Sequence, residues 1–144
     1  MVAGPRPELS MNVRPSAALS AWFVRLLAAA TASYTAILLF ATHHPQPSAL
    51  VGDLARRDKA LHFTAYGLLG LLVAATIAAA GRLSPRRVVA AVASLMVFAA
   101  VDELTQPLFG RATELLDWVF DSTGIVAGFT AVLAAWATVR WWRS

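Results

Sequence analysis

Residues 88–107 read VVAAVASLMVFAAVDELTQP: fourteen uncharged residues, then Asp102 and Glu103, then a Gln-Pro stop. A helix rises about 1.5 Å per residue, so twenty such residues span about 30 Å, the thickness of a bilayer's hydrocarbon core. Three more runs of similar length flank this one, at about 21–42, 60–80 and 117–139, the last fading into the tryptophans up to Trp142. Four spans use roughly 80 residues at about 20 each, which leaves little of a 144-residue chain for anything but a tail and short loops. Composition agrees, being 58% hydrophobic and 14% charged against about 25% charged in an ordinary soluble domain. A membrane anchor carrying a soluble catalytic domain is excluded. The expected fold is all-α, an integral membrane four-helix transmembrane bundle.

Between the runs the chemistry is that of loops. Residues 1–20, with Pro5, Pro7 and Pro15 and little periodicity, predict a disordered cytoplasmic tail, and residues 21–144 the transmembrane domain. A signal peptide competes for the first run, but it calls for an apolar stretch of about 7 to 15 residues and a small-residue cleavage site. The run here is longer and leads into Thr42-His43-His44-Pro45, which favours an uncleaved helix. Gly81 is placed to cap the second helix and Pro85 to start the third, while Phe109, Gly110 and Arg111 predict a tight turn. No internal repeat is evident.

Cysteine is absent, which removes disulfides, thiolate nucleophiles and cysteine metal sites. The net charge of +4 comes from eleven Arg and one Lys scattered between apolar runs, not from the continuous basic patch that nucleic-acid binding needs. Basic residues beside spans set orientation instead. Eight of them (Arg6, Arg14, Arg25, Arg82, Arg86, Arg87, Arg140, Arg143) fall on one side and four (Arg56, Arg57, Lys59, Arg111) on the other. Both termini are therefore expected in the cytoplasm, with Trp22, Trp141 and Trp142 at the inner interface and Trp118 at the outer one.

The informative residues are charges inside the spans, which are costly in lipid and face a bundle interior or wet cavity. Asp58, Lys59, His62 and Tyr66 open the second helix, with Asp58, His62 and Tyr66 spaced by four on one face. Asp102, Glu103 and Gln106 end the third, followed by Gly110 and Arg111; Asp117 and Asp121 open the fourth, ahead of Gly124 and Gly128. In an up-and-down bundle all three groups reach one depth, just beneath the outer surface. Singly, several have structural readings: His62 as an interfacial residue, Asp58 and Asp117 as helix caps, and Gly124-x-x-x-Gly128 as close helix packing. Asp102, Glu103 and Asp121 have none of these, lying within apolar runs, and a functional site competes there with a structural salt bridge. His43 and His44, in a Pro-rich loop, are expected to be solvated.

Five carboxylates cannot all stay ionised and unpaired in a low dielectric; they share protons, pair with bases or bind a cation. Oxygen-rich sets suit magnesium or calcium, and one His admits manganese or zinc, so a divalent cation is a candidate cofactor. Asp58 is placed to hold His62 and fix its tautomer, and Lys59 with Arg111 to meet an anionic headgroup.

These residues resemble the VanZ-like family of small bacterial membrane proteins. The resemblance rests on Asp58-Lys59-x-x-His62-x-x-x-Tyr66, Asp102-Glu103-x-x-Gln106 with Gly110-Arg111, and Asp117-x-x-x-Asp121-x-x-Gly124-x-x-x-Gly128, and covers about Ala21 to Trp142. The family often has Asn where this chain has Asp121. The resemblance implies a multi-pass protein of the bacterial inner membrane and cell envelope, related to a protein associated with low-level resistance to the glycopeptide teicoplanin. It supplies no reaction.

The leading expectation is an outer-leaflet site that binds an anionic lipid or lipid-linked cell-wall intermediate, with a metal ion as an intermediary. Lys59 and Arg111 hold the anion, Asp102, Glu103 and Asp117 organise the cation or bases, and Tyr66, Gln106 and Asp121 complete the pocket. His62 is the proton-transferring group where a reaction occurs, with Asp102 and Glu103 its catalytic partners. A proton- or cation-coupled transporter is the rival, since Asp, Glu and His within spans serve as relays, although the inner halves offer little beyond Thr31, Ser33, Tyr34, Thr76 and Ser94. A non-catalytic membrane partner subunit, with the cluster as a polar clasp, is the third.

Overall fold

A computed structural model describes residues 17–45 and 58–142. Helix α1 runs Ala17–Thr42, α2 Asp58–Ala79, α3 Pro85–Thr105 and α4 Leu115–Trp141, with a single 3-10 turn at Gln106–Phe109 after α3. Among the described residues there is no strand, and all four α-helices are long and apolar enough to cross a membrane. The expected spans are thus present, each helix starting two to four residues earlier than expected and ending within two residues of the expected position. Ala17, Ala18, Leu19 and Ser20 open α1 instead of belonging to the tail, in keeping with the helix preference of Ala and Leu; the tail up to residue 16, Arg56, Arg57 and Arg143 lie outside the described residues.

Local chemistry sets the boundaries. Gly81, at φ 66°, closes α2 in a double-bonded cap: its N–H donates to Ala78 O at 2.9 Å and the Arg82 N–H to Ile77 O at 3.0 Å. Ser84 caps α3, its hydroxyl accepting from the Arg87 N–H at 3.4 Å, with Pro85 next where no amide hydrogen is needed. Gly110, at φ 78°, turns the chain after α3, and the Arg111 N–H donates to Gln106 O at 3.3 Å.

Helices α2 and α4 form the central pair. Lys59 lies against Asp117, His62 against Asp121, Gly67 against Gly124 and Leu71 against Gly128, so the two run parallel in a constant register. Glycine makes this seam. A Cβ added at Gly70 lies 2.7 Å from Ile125 O, one at Gly124 3.0 Å from Gly67 N, and one at Gly128 2.6 Å from Leu71 N. Removing side chains lets the backbones touch, which is how helices associate where no hydrophobic force drives them together. The packing reading of Gly124 and Gly128 therefore holds.

Helix α1 lies antiparallel along α2, where Tyr34 donates to Ala65 O at 2.9 Å and Thr31 Oγ1 is 3.3 Å from Thr76 Oγ1. Helix α3 lies antiparallel along α4. Trp118, half-buried in the first turn of α4, joins them, donating from its indole to Met96 O at 3.0 Å. A cleft of about 360 Å³ between α3 and α4, lined by Val89, Val92, Met96, Val126 and Phe129, is apolar.

The bundle is inverted relative to a soluble one. Among the described residues its buried set holds seven apolar side chains, among them Leu69, Ile125 and Phe129, and eight polar ones, while Ile37, Phe40, Val89 and Val97 are exposed. Side chains of that kind on the outside, and charges within, suit lipid as the surrounding solvent.

Candidate functional site

The antiparallel arrangement brings the C-terminal ends of α1 and α3 and the N-terminal ends of α2 and α4 to one end of the bundle. Both α2 and α4 point the positive end of their backbone dipole there, which favours carboxylates in the first turn; Asp58 and Asp117 occupy those turns. All three polar groups expected from the sequence meet at this end.

His62 is their centre, 6% exposed and flanked on both edges by carboxylates. Its Nδ1 lies 2.9 Å from Asp121 Oδ1 and 3.8 Å from Glu103 Oε1. Its Nε2 lies 3.7 Å from Asp117 Oδ2 and 3.8 Å from Asp58 Oδ1. A carboxylate only accepts, so the short contact is a hydrogen bond from Nδ1–H to Asp121, and in the neutral ring that leaves the lone pair on Nε2. Asp121, across the glycine seam, orients the ring. Asp58 was expected to do this; it stands one turn away on the same helix, but beyond hydrogen-bonding range.

Glu103 and Asp121 are buried, and each is only half satisfied. Glu103 Oε1 accepts from Gln106 Nε2 at 2.8 Å, whereas Glu103 Oε2, Asp121 Oδ2 and Gln106 Oε1 are buried with no hydrogen-bond partner among the described residues. Asp102 is better served, accepting from Tyr66 at 2.8 Å and from Thr42 at 3.0 Å. Together Tyr66, Asp102 and Thr42 tie α2, α3 and α1 into one wall. A donor atom from each of His62, Glu103 and Asp121, or from each of Asp58, His62 and Asp117, lies within 4.8 Å of the other two, so either set is close enough to share an ion.

Lys59 occupies the rim, with its ammonium against Asp117, 2.6 Å from Glu114 Oε2 and 3.5 Å from Asp58 Oδ2. Arg111 does not join it. Its Nη1 donates to Thr42 O at 2.7 Å, which caps the end of α1. The expected Lys59–Arg111 pair is thus divided, the lysine drawn to the carboxylates that open α4 and the arginine to the free carbonyls that end α1.

Three participants were missed from the sequence. Glu114 is three residues ahead of Asp117, a helical spacing that could have flagged it. Thr42 ends an apolar run and gave no signal. His43 was expected in solvent but is held: its Nδ1 is 2.9 Å from Leu39 O, its Nε2 2.9 Å from Thr105 Oγ1, and its ring packs edge-on against Phe109 at 4.7 Å. His44 is half-buried, with its ring beside Phe40 at 5.8 Å. Helical hydrogen bonding continues one residue past the expected end of α1, from the His43 N–H to Leu39 O at 3.1 Å and the His44 N–H to Ala41 O at 3.4 Å, and holds both histidines against the bundle.

Comparison with protein-family models, with curated proteins and with solved structures finds no match.

Proposed function

We propose that this chain is a VanZ-like multi-pass protein of the bacterial inner membrane whose polar end binds the anionic headgroup of a lipid or lipid-linked cell-wall intermediate, and which contributes to teicoplanin tolerance. One observation carries the reading: carboxylates from three helices converge on buried His62 at one end of a lipid-facing bundle, where α1 adds Thr42 to Asp102, with Asp58 and Glu114 open at the rim. A structural clasp has no need of buried carboxylate oxygens without partners, as at Glu103 and Asp121. Six carboxylates (Asp58, Asp102, Glu103, Glu114, Asp117, Asp121) outnumber the basic side chains that face them, Lys59, His62 and His43, so an anionic headgroup enters together with a cation. Arg111, with one guanidinium N–H on Thr42, keeps further donors for that headgroup. His62 is the group that transfers a proton where a reaction follows.

Both termini lie in the cytoplasm in this reading, by the excess of basic residues on their side, and the site opens to the outer leaflet. Reporter fusions in the α1–α2 and α2–α3 connections test this; a cytoplasmic signal from the first would turn the site inward. Transport finds less support, because among the described residues no acid, His or Lys lies between the cluster and the opposite end. A relay that stops halfway crosses nothing. The binding reading is tested with His62→Ala and Glu103→Gln variants that reach the membrane at normal levels. Both should lose phosphatidylglycerol binding in mixed micelles and lower teicoplanin tolerance; no change in either measurement refutes it.

A further inference from the structure

Among the described residues, the edge of His62 turned toward the rim makes no hydrogen bond. With the proton on Nδ1, held by Asp121 at 2.9 Å, the Nε2 lone pair points at Asp117 Oδ2 and Asp58 Oδ1, 3.7 and 3.8 Å away. Those gaps exceed hydrogen-bonding range. Two atoms each about 2.0–2.2 Å from a common zinc ion, at tetrahedral or somewhat wider angles, stand roughly 3.3–3.8 Å apart. Each aspartate turns its other oxygen to Lys59.

We infer that His62 Nε2, Asp58 Oδ1 and Asp117 Oδ2 form a three-ligand site for a divalent transition-metal ion, zinc or manganese, with Asp121 as the positioning residue behind the imidazole. Mixed nitrogen and oxygen ligands suit these ions. The arrangement of carboxylate, imidazole and metal is the usual one, in which the far nitrogen's partner fixes the ring. Charge supports it as well: Asp58, Glu114 and Asp117 carry three negative charges, Lys59 one positive, and a dication leaves the rim neutral. The inner set of His62, Glu103 and Asp121 would bind through Nδ1 and so give up the hydrogen bond to Asp121 that orients the ring. Asp58, with its side chain 42% exposed, marks the open side, where a fourth position remains for water or an anionic oxygen.

This goes beyond the headgroup reading, and only the use of the fourth position rests on it. The test is isothermal titration of the chelator-stripped full chain, in a neutral detergent without anionic lipid, with zinc chloride or manganese chloride. One equivalent should bind. Asp58→Asn, at the exposed start of α2 and so without a fold to break, should weaken binding at least tenfold. Asp121→Asn should weaken it about 10- to 100-fold through the loosened ring. Bound manganese should show the magnetic coupling of a directly bonded nitrogen, lost in His62→Gln. No saturable binding by the wild type, or binding unaffected by Asp58→Asn, overturns the inference. A wild type that binds the ion but no phosphatidylglycerol supports it and refutes the headgroup reading alone.

Discussion

Gly128→Val tests whether the glycine seam sets the site. A Cβ at Gly128 would lie 2.6 Å from Leu71 N and 3.1 Å from Gly70 C, with Gly67 O closer still. Ordinary carbon contacts begin near 3.5 Å, so the two backbones must part by roughly 1 Å. Asp121 is seven residues earlier on α4, about 10 Å along the axis. An opening carried that far takes the His62–Asp121 bond from 2.9 Å to about 3.9 Å, where it no longer exists. Overpacking of this kind costs about 1–3 kcal/mol, and the three added carbons put Val near the top of that range. Helix propensity works the other way, since Val replaces Gly, but contributes only about 0.4 kcal/mol. The melting temperature in detergent should therefore fall by roughly 10 °C, with loss of metal binding. Ala127→Val, on the exposed neighbouring position, loses only about 0.5 kcal/mol of propensity. If Gly128→Val melts with the wild type and binds the ion equally well, α2 and α4 do not meet on their glycines and the reasoning fails.

Other substitutions separate the parts of the cluster. Tyr66→Phe removes the donor at 2.8 Å from Asp102 and should destabilise by about 1.5–3 kcal/mol, the range for a hydrogen bond to a charged group; a melting curve superimposed on the wild type's would show that Asp102 does not depend on it. Lys59→Met leaves the buried Asp117 carboxylate without its base, and should be less stable by about 1–3 kcal/mol yet be partly rescued by Asp117→Asn, as a double-mutant cycle would report. Ser84→Ala, at the cap of α3 and remote from the cluster, should lower stability by about 1 kcal/mol while leaving metal affinity as it was. Trp118→Phe loses one indole bond to Met96 and about 1 kcal/mol, seen in thermal unfolding.

Much of the fold was legible because lipid makes simple demands. Runs of about 20 apolar residues gave four helices, and Gly81, Pro85 and Gly110 marked their ends through backbone conformations that few other residues adopt. Depth along each helix was enough to gather His62, Glu103 and Asp121 before any contact was known. Azimuth was not legible. Spacing by four put Asp58 and His62 on one face, but the partner of Nδ1 was decided by how closely α2 and α4 approach, and that closeness depends on Gly67 and Gly70, which carry no chemistry of their own. Arg111 was likewise assigned by charge to an anion and to Lys59, when the free carbonyls at the end of α1 were nearer. Glu114 escaped notice because it precedes its helix, where an acid looks like loop.

The central claim is that the polar end of this bundle is a ligand site and not a clasp. Native mass spectrometry of the full chain, released from its own membrane in a neutral detergent, tests it most directly. The expected result is a chain carrying an anionic lipid and one divalent ion, with the lipid lost in Arg111→Ala and the ion in Asp58→Asn. A wild type that flies at the bare mass of its polypeptide, folded and without either adduct, would contradict it.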